Sequence, residues 1–237
     1  MKLTKVTFTG IDEKTDLKRL VKLQEQYPYA EFGVLLSYDW QVNGCRFPDP
    51  QLLKRLTPLG LNLSAHLCGQ AALDVVYGKR FKTEQLLDGC AKIFRRCQLN
   101  LKAAGLFSEL RSLKPVPFIN EVIIQMHTPE LCMQFMNGQT PKFTSYLLDA
   151  SCGAGIDTPI QVVVAPGVHI GYAGGIGPEN VEEKLCTLLE YDSQECFWID
   201  METRVRTVDS QGEWFDLDKV EKVLKACKSI LASYNQK

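Results

Sequence analysis

His169-Ile170-Gly171-Tyr172-Ala173-Gly174-Gly175-Ile176-Gly177-Pro178-Glu179-Asn180-Val181 runs from a short apolar segment through three glycines into the start of a helix. His169–Tyr172 reads as a buried strand. Val181, Leu185, Leu188 and Leu189 then recur at the spacing of one buried helix face, predicting a helix over Pro178–Leu189. Pro178 suits a first helical turn, where its missing N–H costs nothing. A strand handing over directly to a helix is one β/α unit.

The same alternation extends outward in both directions. Further strands are predicted at Thr4–Phe8, Glu31–Leu36, Leu61–Leu67, Cys97–Leu101, Glu121–Met126, Ser145–Leu148 and Phe197–Met201. Helical patterns lie between them at Asp16–Gln26, Asp49–Arg55, Thr83–Ile93 and Pro129–Met136. The last, Asp216–Ser233, carries Leu217, Val220, Leu224, Cys227 and Leu231 on one side. Asp49-Pro50 and Thr128-Pro129 place a capping side chain before a first-turn proline. Eight strands alternating with helices predict a parallel sheet. A chain of 237 residues matches the (β/α)8 TIM barrel in size, as a single domain over 1–237. An open doubly wound sheet would favour a Gly-x-Gly-x-x-Gly turn after the first strand. Thr9-Gly10-Ile11-Asp12 has one glycine. Ser151–Pro166 is the least regular stretch and reads as a long loop over the barrel mouth, with room for a short helix.

Composition narrows the function classes. Hydrophobic residues are 45% and charged residues 23%, an ordinary balance for a packed core. Lys and Arg total 27 against 28 Asp and Glu, a formal charge of −1. No net positive field is available to hold nucleic acid or an anionic membrane. No apolar run reaches the ~18 residues of a membrane span. Met1–Thr9 lacks the apolar stretch of a secretion signal. The nine cysteines are odd in number, irregularly spaced and without a Cys-x-x-Cys pair. They read as reduced, mostly core residues of a cytoplasmic protein.

In a barrel of this type the C-terminal strand ends converge on one mouth. The predicted ends carry Thr9, Ser37, His66, Asn100, Gln125 with His127, Asp149, and Asp200 with Glu202. Any one of these is as readily a solvated rim residue. Three acids and two histidines directed at one spot are more than a scaffold needs. Gly174, Gly175 and Gly177 before a helix start suit a phosphate, because backbone N–H groups can approach an anion and the helix terminus adds partial positive charge. A tight strand-to-helix turn is the alternative. Asp149, ahead of Ala150-Ser151-Cys152-Gly153-Ala154-Gly155, is either a general acid or base or a loop cap. Two acids and two arginines, Asp200, Glu202, Arg204 and Arg206, lie at or after the end of the eighth strand. They pair on the rim, or Arg204 grips an anionic group bidentately. His66, in Ser64-Ala65-His66-Leu67-Cys68-Gly69, suits proton transfer or a structural role. His66 and Cys68 are too few for a metal site. Lys102 reads as an early helix residue rather than a Schiff-base lysine.

Taken in order, these segments resemble phosphoribosylanthranilate isomerase, a barrel enzyme of tryptophan biosynthesis. The likeness is carried by Leu147-Leu148-Asp149, Ala173 to Val181, Trp198-Ile199-Asp200 and Phe215–Val223. Phe32 to Leu36 with Cys45-Arg46-Phe47, and Cys97 to Asn100, add to it. The resemblance implies an Amadori rearrangement of an aminoaldose phosphate to an aminoketose phosphate. It implies Asp149 as the acid, Gly174 and Gly175 as phosphate holders and Arg46 as partner of a substrate carboxylate. Asn100, Asp200 and Arg204 are the further substrate-binding candidates, and Gly177 joins the phosphate set. The family places a cysteine base after the first strand, where this sequence has Thr9. His66 is the expected substitute, with Thr9 retained as a catalytic candidate. Glu202-Thr203-Arg204 also replaces the family's small residues after the eighth strand. The expectation is an isomerase acting on a phosphorylated small molecule, as a monomer or homodimer, with no organic cofactor and no required metal. A lyase or aldolase step using His66 and Asp149, and a non-catalytic barrel that binds a phosphorylated metabolite, stand beside it.

Overall fold

The structure is a computed structural model that describes residues 1–42, 44–79, 81–87, 89–151, 154–191, 195–210 and 212–234. Its strands are β1 (Lys2–Thr9), β2 (Ala30–Leu36), β3 (Leu63–Cys68), β4 (Phe94–Asn100), β5 (Glu121–Met126), β6 (Thr144–Asp149), β7 (Ile170–Ala173) and β8 (Cys196–Met201). They form a closed barrel in sequence order, every neighbouring pair parallel and β8 returning to β1. Parallel neighbours need a crossover, and the helices supply them. These are α1 (Leu17–Gln26), α2 (Gln51–Leu56), α3 (Gln70–Val76), α4 (Phe81–Leu87), α5 (Phe107–Arg111), α6 (Pro129–Met136), α7 (Val181–Leu189) and α8 (Leu217–Tyr234). The fold is therefore the predicted (β/α)8 barrel.

The start signals act as physical caps. Asp16 accepts from the amides of Lys18 and Arg19, and Thr128 accepts from Leu131 ahead of Pro129. α8 buries Leu217, Val220, Val223, Leu224 and Cys227 along one stripe.

Several local expectations are corrected. The helix read over Thr83–Ile93 is α4 followed by a 3₁₀ turn at Ala91–Ile93. Gly89, at φ 73°, breaks the run in the left-handed region. α7 starts at Val181, because Asn180 folds back to cap the Gly177 amide. Lys102 lies in the irregular segment after β4, outside any helix. The described part of Ala150–His169 carries neither helix nor strand; its Cys152 and Gly153 lie outside the described residues. Two short helices and a hairpin were not predicted, among them α5 between β4 and β5. α3 begins directly after Gly69 at φ 59°, and β9 (Arg206–Asp209) with β10 (Gly212–Phe215) forms an antiparallel hairpin after β8. All eight described cysteines are free thiols. No helix among the described residues is long and apolar enough to cross a membrane.

The outer strand faces are apolar and packed by the helices, whereas the interior is largely polar. At its floor Arg96, 2% exposed, pairs with Glu31 at 2.7 Å and Glu121 at 2.9 Å. Its guanidinium lies 4.3 Å from the ring centre of Trp198. Trp198 packs with Ile123 and Leu147 above this floor. Gly171 makes room for the indole: a Cβ there would come within 2.1 Å of the ring.

This packing can be tested at two places. Gly171→Ala drives a methyl into a ring that cannot retreat. It should cost about 1–3 kcal/mol or more in urea unfolding, and Trp198→Phe in the same chain should recover part of the loss. An unaltered midpoint for Gly171→Ala would contradict the packing. The second place is Glu121. Burial alone would raise its pKa; the bonds from His169 and Ser145 and the charge of Arg96 pull it down to about 2. A folded value below the unfolded one means the stabilisation is present above the unfolded pKa and lost as pH falls toward 2. Acid titration of wild type against Glu121→Gln should show a difference that shrinks over that window.

Candidate active site

One cleft at the C-terminal mouth gathers most of the candidate residues. It encloses about 480 Å³ of empty space, part of it open to solvent. Thr9, His66, Asn100, Asp149, Asp200, Glu202, Arg204, Gly174 and Gly175 all line it. So do Gln98, Gln125, Ser151 and Gly155. Gln125 stands at a predicted strand end; Gln98, inside β4, and Ser151 and Gly155, in the loop after β6, carry no distinguishing signal in the sequence.

Asp149 closes β6. Its Oδ2 accepts from Gln125 Nε2 at 2.8 Å, and its Oδ1 accepts from the Ser151 amide at 3.1 Å and the Ser151 hydroxyl at 2.7 Å. The loop-capping geometry and the cavity position are thus both present in one carboxyl.

Two strands further round the barrel, Asp200 sits one step before the end of β8. Thr9 donates to its Oδ1 at 3.0 Å. Oδ2 is buried and has no hydrogen-bond partner among the described residues. Burial holds this carboxyl well above the usual carboxylate range, opposed by the Thr9 bond; the charges of Glu31 and Glu202 add to the rise, and Arg96 counters them. His66, 1% exposed, reaches Thr9 across β2, with Nδ1 3.5 Å from Thr9 Oγ1 and Nε2 3.0 Å from the Ser64 hydroxyl. Gly33 permits this approach, since a Cβ there would lie 2.5 Å from Thr9 Oγ1 and 2.9 Å from His66 Nε2. Burial, then Arg96, pushes the His66 pKa down to about 3. The ring is therefore neutral at ordinary pH.

Cys68, at the end of β3, is not a ready nucleophile. Burial pushes the Cys68 thiol up to about 12, although Asn100 Nδ2 lies 3.3 Å from its sulfur. Arg46 is not part of the cleft lining. It is engaged by Glu213 at 2.6 Å and Glu202 at 3.0 Å, and it donates to Thr203 at 3.1 Å, tying its loop to the segment after β8. Burial raises the pKa of Glu202, and Arg46 opposes the rise.

The glycine turn has two faces. Its Cα side is packed tight. A Cβ on Gly175 would meet the Ile156–Asp157 backbone at 2.5 Å, and one on Gly177 would meet Arg204 Cβ at 2.5 Å. Its amide side is only partly spent. Gly177 donates to Asn180 Oδ1 at 2.9 Å. No described residue accepts from the amides of Gly174, Gly175 or Ile176, and all three residues line the cleft. Arg204 lines it too, held through Nε to Gly155 O at 3.2 Å. No group of three or more His, Cys, Asp or Glu residues that could hold a metal occurs among the described residues.

No protein-family profile and no curated protein matches the sequence. Among solved structures the chain is similar to a triosephosphate isomerase from Bartonella henselae. The identity is 10% and the TM-score 0.46, over 85% of this chain and 92% of that one. A likeness at that level carries nothing about the chemistry.

The hydrogen bonds favour one His66 tautomer. Thr9 has one proton, which it gives to Asp200, so the contact to His66 requires Nδ1–H. Nitrogen-15 NMR should show a neutral, Nδ1-protonated ring at neutral pH and throughout mildly acidic conditions. An imidazolium near pH 6 would contradict the burial argument.

Proposed function

We propose that this chain is an acid–base isomerase of the phosphoribosylanthranilate isomerase type, acting on a small phosphorylated sugar derivative. The observation that carries the reading is a pair of carboxyls, Asp149 and Asp200, lining the same cleft as the unspent amides of Gly174 and Gly175. An aldose-to-ketose rearrangement needs one group to give a proton and one to take a proton. Two carboxyls in different environments supply such a pair. A phosphate binds the Gly174–Ile176 amides, with Arg204 adding charge at the rim. The Gly177 amide is left out of this set, because Asn180 already caps it.

Thr9 and His66 act as positioning residues. A hydroxyl that donates to Asp200 is not a base, and an imidazole whose pKa is pushed down to about 3 stays uncharged. Together they orient Asp200. Arg46 keeps the loop after β8 in place rather than meeting substrate, since two glutamates already occupy it. The competing reading is a barrel that binds a phosphorylated metabolite without turning it over. It is motivated by the hydroxyl of Thr9, where the resembled family has a thiol.

Phosphoribosylanthranilate turnover, followed by anthranilate fluorescence, separates the two. The expected result is turnover that Asp149→Asn lowers by about 10²–10⁴-fold. Inorganic phosphate should shift the Gly174 and Gly175 amide resonances and compete with substrate. Folded protein that binds phosphate there but gives no turnover above background would leave the binding-only barrel standing.

A further inference from the structure

We infer that the two carboxyls divide their work in the sense opposite to the one the resemblance implies: Asp200 is the proton donor of the cleft and Asp149 the proton acceptor. This rests on the isomerase reading above.

The argument is the direction of a hydrogen-bond chain. The Ser64 hydroxyl meets His66 Nε2 at 3.0 Å, Nδ1 meets Thr9 Oγ1 at 3.5 Å, and Thr9 donates to Asp200 Oδ1 at 3.0 Å. The last bond spends Thr9's only proton. Nδ1 must then carry a hydrogen, and Nε2 must accept from Ser64. Every donor in the chain points toward Asp200. Oδ1 is therefore an accepting oxygen, and the proton of an uncharged Asp200 belongs on Oδ2. That atom is buried, lacks a partner among the described residues, and belongs to a residue that lines the cleft. A buried O–H without an acceptor is costly, and a substrate oxygen supplies the missing partner.

The charges around Asp200 agree. Glu31 and Glu202 favour its neutral form. Arg96 opposes them, but its charge is shared between Glu31 and Glu121. His66 is uncharged and Thr9 donates.

Asp149 is built the other way. Both of its oxygens accept: Oδ2 from Gln125, Oδ1 from the amide and hydroxyl of Ser151. Hydrogen bonds donated to a carboxyl favour its charged form, the form that takes a proton.

The chemistry closes with both groups restored. With an aminoaldose phosphate bound, Asp200 gives its Oδ2 proton to the ring oxygen as the C1–O bond breaks and the nitrogen lone pair forms C1=N. Asp149 takes the proton from C2; that electron pair forms C1=C2, and the C=N pair returns to nitrogen. Asp149 then delivers its proton to C1, while Asp200 recovers one from the C2 hydroxyl, which becomes the ketone.

Infrared spectroscopy of the full chain with carbon-13-labelled aspartate tests where the resting proton sits. At neutral pH a buried carboxylic C=O band should be present, lost in Asp200→Asn and kept in Asp149→Asn. Thr9→Val, which deletes the donor to Oδ1, should shift that band without removing it. A band lost in Asp149→Asn instead, no such band, or one that Thr9→Val leaves unmoved overturns the assignment. In phosphoribosylanthranilate kinetics each asparagine variant should lower kcat/KM by about 10²–10⁴-fold. Asp200→Asn should abolish the alkaline limb of the pH profile, and Asp149→Asn the acidic limb. Wild-type turnover with the limbs exchanged overturns the division of roles alone. No wild-type turnover overturns the isomerase reading and the catalytic roles with it, while the infrared band still reports the proton's place.

Discussion

The Arg96 guanidinium is the charge on which the barrel interior depends. It is almost fully buried, paired with two glutamates from β2 and β5, and laid against Trp198 from β8. Withdrawing such a cation from water costs several kcal/mol, and only close partners repay it. The site above is tuned by this arrangement. Arg96 helps keep His66 uncharged and restrains the rise of Asp200, while Glu31, its partner, pushes Asp200 upward. The floor and the cleft are one electrostatic system, stacked through the barrel axis.

Space in that system is set by missing side chains. Gly33 lets Thr9 and His66 meet across an intervening strand, and Gly171 lets the indole of Trp198 lie across the lumen. Neither glycine needs a positive φ, and both lie inside strands. Their role is close approach within a closed sheet, where a methyl group would collide with a neighbour that is itself confined.

The fold was legible in the chain because most of the β/α units announce themselves locally. An apolar run, a polar strand end and a capped amphipathic helix lie within a few tens of residues of one another. α3, α5 and the β9–β10 hairpin escaped because their strands and helices are short and their boundaries rest on turn geometry. Of the site, Asp149, Asp200, His66, Thr9, Gly174 and Gly175 were visible as polar or glycine residues at strand ends. Their relations were not. Arg46 is claimed by Glu213, 167 residues away, and Thr9 reaches Asp200 across 191 residues. Such pairings follow from barrel closure, which no local pattern encodes. Gln125 and Ser151, which fix Asp149, read in the chain as an ordinary strand-end glutamine and a loop serine.

At the glycine turn after β7, packing and the proposed anion binding need not be rival explanations. The Cα sides of Gly175 and Gly177 are pressed against the 155–158 segment and Arg204, so larger residues are excluded on steric grounds alone. That pressure fixes the backbone, and with it the direction of the amides at 174–176, which no described residue uses. A cradle of N–H groups binds an oxyanion well only when its geometry is set before the anion arrives, because ordering it afterwards consumes affinity. Asn180 contributes from the other side by taking the Gly177 amide and the Gly175 carbonyl, at 2.9 and 3.0 Å, and by bonding Asp157 at 2.9 Å. The steric requirement for glycine is thus the means by which the polar side of the turn is held ready.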